Sequence, residues 1–389
     1  MEKYIKKNDV KRLAIFASYH GGGIVDSYKV KILEGIRPYA AGLAVVCNGV
    51  VNDEGYRILN GIADEILVRE NVGYDAGAYK DTLLQMRKNG QLERYDEVIL
   101  LNDTFFGFFY PLDEFFYKVY RRDSVDFWGF TKHPEGETVT GDKYGEHIQS
   151  YFLLIRQRMF HSEEFWGFWD ELNYPVCYKD AISDFEIEFS AYFKEKGFIG
   201  GAYCSLEKIG LEEKYNENPY MLYSYDLVSK AKCPVLKIKS VYLEATDNIK
   251  GAFQVIEFLE SHGLYDTAMI WQHIQGICGS EDRKPYFDVQ ELKKFCAEYK
   301  EIYIYGNGKY GKRMKTYLGM QGVEVKKMMV SHKDAGIGED VIEFRDLAVR
   351  PDMGIIVALN EENTFQVIDD ILAVAKREQI FTGRISIWC

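Results

Sequence analysis

Four short apolar runs, each closed by a polar or glycine-rich turn and followed by a helical pattern, constrain the first hundred residues to an α/β fold. Residues 13–19 read as a buried strand broken by Gly21-Gly22-Gly23, and residues 24–35 as a helix with Val25, Tyr28, Ile32 and Leu33 on one face. The second strand, 43–46, ends at Cys47-Asn48-Gly49 and is followed by a helix over 55–62. The third, 65–68, runs through the turn Asn71-Val72-Gly73 into a helix over 75–88, and the fourth, 97–101, stops at Asn102-Asp103-Thr104. Alternation of this kind implies βαβ units and a mostly parallel sheet. Ligands of such sheets sit outside the carboxyl ends of the strands, so the polar residues there are the ones to weigh.

Further on, strands are expected over 126–130, 151–155 and 237–243, helices over 161–172 and 183–196, and a Tyr-rich loop over 213–225. A helical stretch over 248–274 leads to a linker at 280–287. A second αβ series then begins: helix 289–299, strand 301–305, helix 309–321, strands 324–330 and 354–358, and helix 362–377. The chain thus divides into a main α/β domain over 1–245, a helical segment and linker over 246–287, and a smaller Rossmann-like domain over 288–389.

Charge and cysteine use exclude whole classes. A net charge of -12 argues against nucleic acid as a partner, because neutralising phosphates takes a basic surface. The seven cysteines (47, 177, 204, 233, 278, 296 and 389) form no C-x-x-C pair, so reduced thiols in a cytoplasmic protein are expected rather than a disulfide or zinc framework. The start Met-Glu-Lys lacks the apolar run of a signal peptide, and no stretch of about 18 apolar residues is present to span a membrane.

The strand ends supply the first candidate site: Ser18 and Tyr19, Asn48, Asn71, Gly73 and Asp75, and Asn102 with Asp103. A nucleotide-sugar site needs acceptors for base and ribose and donors for a diphosphate, and the helix opening near Asp75 offers amide donors. The plainer alternative is that Asp75 caps that helix and Asn71-Val72-Gly73 is an ordinary turn. Asp103, directly after a hydrophobic strand, stands where a carboxylate would hold a divalent metal bridging a diphosphate. Glu186 is the candidate general base; against it, Ser183-x-x-Glu186 has the spacing of a capping box. His147 and Gln149, in His147-Ile148-Gln149-Ser150, stand at a strand start with no nucleophile beside them in sequence.

In the C-terminal series, Gly306-Asn307-Gly308-Lys309-Tyr310-Gly311 follows a strand and opens a helix, the context of a dinucleotide fingerprint. The acid expected some 20 residues on is absent, since the next strand ends Met329-Val330-Ser331-His332. Arg313 stands where a P-loop needs Ser or Thr, so that reading fails. His20-Gly21-Gly22-Gly23 resembles a lipase oxyanion segment, but no Gly-x-Ser-x-Gly elbow accompanies it, which removes a serine hydrolase.

Residues 10–240 resemble the rhamnan synthesis F family of glycosyltransferases, with an A-type glycosyltransferase fold. The resemblance rests on the run from Arg69-Glu70-Asn71-Val72-Gly73-Tyr74-Asp75 to Tyr79, on Leu101-Asn102-Asp103-Thr104-Phe105-Phe106-Gly107, on Asp126-Phe127-Trp128-Gly129-Phe130, and on His147-Ile148-Gln149-Ser150-Tyr151-Phe152. It implies transfer of L-rhamnose or a similar deoxysugar from a dTDP-activated donor to a lipid-linked glycan, at the cytoplasmic face of the plasma membrane, with peripheral membrane association. It implies inversion by direct displacement, with Glu186 at the position of the base. Asp103 falls where that fold carries an Asp-x-Asp motif for Mg²⁺ or Mn²⁺. Asn102 and Thr104 depart from the motif, leaving Asp103 either a metal ligand or a hydrogen-bonding partner of sugar or ribose. No redox cofactor is expected. Two rivals remain open: a nicotinamide-dependent oxidoreductase or epimerase built on Gly306, Gly308 and Gly311, and a non-catalytic scaffold of polysaccharide assembly.

Overall fold

The computed structural model describes residues 10–19, 21–137, 142–242, 249–278, 289–320, 322–333, 338, 340–359 and 361–383. The expected linker at 280–287 and His20 lie outside these. The chain forms two compact units, Met1–Ser240 with Gln254–Ile270, and Val241–Phe253 with Trp271–Cys389.

The first unit is built on seven strands: β1 (Arg12–Tyr19), β2 (Gly42–Asn48), β3 (Glu65–Arg69), β4 (Glu97–Asn102), β5 (Phe127–Gly129), β6 (Phe152–Ile155) and β7 (Gly200–Ala202), in spatial order β7-β5-β6-β4-β1-β2-β3. All neighbours are parallel except β6, which runs antiparallel to both β4 and β5. This is the mostly parallel sheet expected from the sequence. Leu13 to Ala17 are buried without alternation, as they must be in a strand covered on both faces. Helices α1 (Ser27–Ile36), α2 (Asp53–Asn60), α3 (Tyr74–Lys88) and α4 (Asp113–Tyr120) connect or back the strands. The α3 residues Ala76, Tyr79 and Leu83 join Ile15, Val46 and Leu100 in one core with Phe165, Phe185 and Phe189.

Two local expectations change, and one strand carries no sequence signal. The Tyr-rich passage contains a helix, Pro219–Ser229, started by Pro219 in its first turn and capped by Asn218, whose side chain accepts the Tyr220 N–H at 3.0 Å. The predicted strand at 237–243 is instead a three-residue strand, Val235–Lys237, followed by helix Ile238–Tyr242, because Phe105–Gly107 pairs with the strand antiparallel. The edge strand β7 went unrecognised because it is two glycines and an alanine. A Cβ at Gly200 would lie 2.6 Å from the Phe127 ring, so the strand reaches β5 only without side chains.

The second unit carries five parallel strands, β8 (Glu301–Tyr305), β9 (Val325–Val330), β10 (Val341–Glu343), β11 (Met353–Val357) and β12 (Ile380–Thr382), in order β10-β9-β8-β11-β12. Two separate hydrophobic clusters flank it. It is the smaller Rossmann-like domain the glycine pattern predicts. Gly306 has φ +121°, and a Cβ there would lie 2.7 Å from the Ala358 carbonyl; a Cβ on Gly311 would lie 1.8 Å from the Gly306 carbonyl. These two glycines therefore let helix Lys309–Met320 pack close against the strand end, whereas Gly308 faces open space. At the end of β9, Ser331 meets the Tyr305 hydroxyl at 2.9 Å, hydroxyls where a ribose-binding acid would be needed.

Candidate functional site

At the tips of β1 and β4, Asp103 is held by donors. Its Oδ2 accepts the Ser18 hydroxyl at 2.9 Å and the Tyr19 N–H at 3.0 Å, and it pairs with the buried ammonium of Lys29 on α1 at 2.8 Å. Burial is the largest influence on this carboxyl and pushes its pKa up. Lys29, Tyr19 and Ser18 together outweigh burial and hold it below the ordinary value.

Between β3 and α3 the backbone makes an unusual entry. Gly73 and Tyr74 are both left-handed, with φ +76° and +54°, and a non-glycine residue there costs on the order of 1 kcal/mol. Arg69 braces the turn: Nε donates to Asp81 at 2.8 Å, Nη1 to the Asn48 side-chain oxygen at 2.6 Å and Nη2 to the Val72 carbonyl at 2.7 Å. Asn48 in turn donates to the Tyr74 carbonyl at 3.0 Å. Both ends of the Asn48 amide thus serve the turn, and Asn71 is exposed. A Cβ on Gly77 would stand 2.4 Å from the Val72 carbonyl. Gly77→Ala is therefore expected to cost about 1–3 kcal/mol of stability by overpacking and to displace this turn; thermal melts with and without nucleotide sugar read both effects.

Asp75 follows in the first turn of α3. Its Oδ2 accepts from Asn102 Nδ2 at 2.6 Å and its Oδ1 from the Ala76 N–H at 3.0 Å. Burial, offset in part by those bonds and reinforced by Glu186, raises its pKa. Nearby, the Tyr79 hydroxyl is buried and makes no hydrogen bond among the described residues.

Glu186 lies in a π-helical turn, Ala181–Ile187, that runs into helix Glu188–Glu195. Its Oε2 accepts both the N–H and the hydroxyl of Ser150 at 2.8 Å, and its Oε1 faces His147 Nε2 at 3.7 Å. The capping-box alternative is set aside, since Ser183 donates to Asp184 at 2.6 Å and Glu186 reaches Ser150 instead. Four residues on, Ser190 accepts the Ile148 N–H at 3.0 Å, so one helix face clamps the 147–150 segment at two points. His147 stacks on His133 with ring centres 5.1 Å apart, and buried Gln149 accepts from Thr131 at 2.7 Å. Burial would raise the Glu186 pKa, but His147, Lys237 and the Ser150 amide prevail and bring it to about 2.

Two residues absent from the sequence reading join these parts. Lys237, at the end of the strand Val235–Lys237, interacts electrostatically with both Glu186 and Asp75, donates to the Thr104 hydroxyl at 3.3 Å and lies 4.4 Å over the Tyr151 ring. Burial, partly opposed by the two acids, lowers its pKa; burial likewise brings Lys239 to about 8 against the pull of Asp75. The alternating lysines of Val235-Leu236-Lys237-Ile238-Lys239 are the only sequence signal. The linked set runs from Asp103 through Asn102 and Asp75 to Lys237, Glu186 and His147. Exposed Tyr19, Tyr74 and Tyr174 are ring surfaces on the strand-tip loops and the 172–177 loop.

The residues at Asp103 do not fit a divalent ion. Its Oδ2 already receives an ammonium and two hydrogen-bond donors, and the Asn102 side-chain oxygen accepts the Thr104 N–H at 3.1 Å and its hydroxyl at 2.7 Å. Among the described residues no group of three or more His, Cys, Asp or Glu side chains could hold a metal.

The mixed, mostly parallel sheet is the α/β architecture expected from the sequence, and it brings these strand tips to one side. The family model of rhamnan synthesis protein F matches residues 43–298, and the chain belongs to that family. A curated relative, uncharacterized protein y4gN of Sinorhizobium fredii, is 23% identical over 193 residues, 48% of this chain and 46% of its own length. The virulence protein VirA of Vibrio anguillarum is 28% identical over 193 residues, 48% of this chain and 57% of its own. This chain thus spans about half the length of the curated relatives it matches. Among solved structures, the glycosyltransferase GlyE of Streptococcus pneumoniae aligns over 94% of this chain and 100% of its own at 9% identity and TM-score 0.33. The mannosyltransferase Ktr4p of S. cerevisiae, solved with GDP, aligns over 51% and 65% at 8% identity and TM-score 0.28. Likeness that slight carries no argument. Among the described residues no helix is long and apolar enough to cross a membrane.

Proposed function

We propose that the first unit transfers a sugar from a nucleotide-diphosphate donor to an acceptor hydroxyl with inversion, and that the donor is dTDP-L-rhamnose or a close deoxysugar relative. The observation that carries this reading is the Glu186 carboxyl group, fixed by the Ser150 N–H and hydroxyl and faced by His147, sharing Lys237 with Asp75 at the sheet tips. Family membership supports the same chemistry.

In this reading the acceptor oxygen forms a bond to the anomeric carbon as the carbon–oxygen bond to the diphosphate breaks. The bonding pair leaves on the diphosphate, and the hydroxyl proton passes to Glu186 Oε1, the oxygen that Ser150 does not occupy. Lys237 and Lys239 offset the charge developing on the leaving group, as preorganised cations do in a half-buried site. Asp103, neutralised by Lys29, is a fixed acceptor for a hydroxyl of donor sugar or ribose. Tyr19 and Tyr74 offer ring faces to the base. The acceptor is a lipid-linked glycan at the cytoplasmic face of the plasma membrane, feeding surface-polysaccharide assembly.

A thermal-shift screen tests this. Selective stabilisation by dTDP-sugars is expected, since a ligand that binds only the folded state raises its melting temperature, and turnover should persist in excess EDTA. A response to NAD(H) with indifference to every nucleotide sugar would move the activity to the second unit; loss of turnover in EDTA, restored by Mg²⁺ or Mn²⁺, would remove the lysines from their role.

A further inference from the structure

A concave site separate from the strand tips gathers positive charge in a chain that carries a net -12. It is a cleft of about 600 Å³ between the end of α4, the loop after β7 and the turn after helix Pro219–Ser229. Lys118, Arg121, Arg122, Lys208, Lys230 and Lys232 line it, half of its twelve lining residues, whereas Lys and Arg make up 48 of 389 in the chain. Glu114 is the one acid on its wall.

Cations at helix C-termini are commonplace, because the macrodipole favours them there. That accounts for Arg121 and for Lys230, which also pairs with Asp226 at 2.6 Å. It does not account for Lys208, which comes from the 3-10 turn Glu207–Ile209 and sits beside Lys118. Lys118 is half-buried, donates to the Tyr203 carbonyl and lies 4.5 Å over that ring. Burial, with Lys208 next in weight, lowers its pKa to about 8. Two ammonium groups held side by side in a concave, partly dry site repel one another, and an anion accepting from both relieves the repulsion. Lys232 adds a further sign: it holds a left-handed backbone, φ +56°, with its ammonium 5.2 Å from the Tyr110 ring. Strain of that kind on a non-glycine residue concentrates at binding sites. Ser205, Tyr117 and Tyr203 on the same wall supply hydroxyls and ring faces.

We propose that this cleft is a second anion site, taking a phosphate- or diphosphate-bearing group between Lys118 and Lys208, with Arg121 and Lys232 at its rim. The group comes either from a soluble phosphorylated molecule or from an anionic lipid headgroup. The site does not depend on the transfer reaction assigned to the strand tips.

The test uses the full chain and two probes, inorganic pyrophosphate by calorimetry and phosphatidylglycerol vesicles by co-sedimentation, with phosphatidylcholine vesicles as the neutral control. Two variants remove the site, Lys208→Glu and Arg121→Glu, both on exposed side chains; Lys237→Met removes the strand-tip lysine as a control. Binding of either probe should weaken about tenfold or more in both cleft variants, the scale of one or two lost charge-assisted bonds, and persist in Lys237→Met. Pyrophosphate alone would assign a soluble ligand, and vesicles alone a lipid headgroup. Binding of neither, or equal binding by wild type and the cleft variants, overturns the site. Stabilisation of Lys208→Glu by nucleotide sugar, read in parallel, keeps the result independent of the strand-tip reading.

Discussion

Glu186→Gln should leave a folded protein that still binds its donor and turns over about 10²-fold more slowly or worse, the scale of a general base. The amide oxygen can still accept from the Ser150 N–H and hydroxyl, so the clamp on the 147–150 segment survives. What is lost is the anionic Oε1 that takes the proton. The pH dependence is as specific. Because His147, Lys237 and Ser150 depress this carboxyl to about 2, its protonation limb in kcat/KM should fall near about pH 2. An ordinary glutamate would place that limb at about 4.3. The linkage sign follows from a folded value lower than the unfolded one. The ion contributes stability in full above about pH 4.3, and loses it as acid carries the protein down toward about pH 2. Thermal melts across that window should show a smaller acid loss in the Gln variant. Wild-type turnover in Glu186→Gln would remove Glu186 as the base; a limb near pH 4–5 that disappears in the variant would mean that Lys237 and His147 do not act on Glu186 as placed.

Much of this site was legible because a parallel sheet delivers its strand tips to one place. Ser18, Asn102 and Asp103 stand out as polar residues after apolar runs, and the structure joins Ser18 to Asp103 and Asn102 to Asp75. What was hidden depends on partners remote in sequence. Lys29 carries no sequence signal of its own; on α1 it is buried, and Asp103, just past the end of β4, neutralises it. Lys237 reads as part of a strand, and only the pairing of that strand with Phe105–Gly107 brings it to Thr104 and Glu186. Glu186 misleads more subtly. Its spacing from Ser183 matches a capping box, but the chain there winds as a π-helical turn, and an added residue per turn rotates the carboxylate from the helix end toward Ser150. Asn48 shows the opposite: its place at a strand tip is as read, while its amide is consumed by Arg69 and Tyr74.

Arg12→Met should be the most destabilising single change, about 3–5 kcal/mol, the cost of stranding a buried charge by removing its partner. Arg12 is fully buried. Its Nε pairs with Glu97 at 3.0 Å, its Nη1 donates to the Tyr39 carbonyl at 3.1 Å and its Nη2 to the Tyr120 hydroxyl, with the guanidinium 4.4 Å from the Phe116 ring. Tyr120 donates onward to Glu97 at 2.8 Å, and burial raises its own pKa. Without Arg12, Glu97 keeps Tyr120 and a looser Arg156 at 3.6 Å, too little for a carboxylate 3% exposed. A domain is stable by only about 5–15 kcal/mol, so the unfolding transition of the first unit should move to visibly lower denaturant. The double variant Arg12→Met, Glu97→Met should recover much of the loss, because an apolar pair needs no counter-charge. The consequence for the site lies in register. Arg12 and Glu97 face each other at the start of β1 and β4, and the same pairing sets Ala17 opposite Asn102 at the far end, which places Ser18 beside Asp103. A slip of one residue would turn every side chain of β1 to the other face and separate them. Arg12→Met within about 1 kcal/mol of wild type, or a double variant as unstable as the two single losses added, would show that the ion pair holds neither the sheet nor the register at its tips.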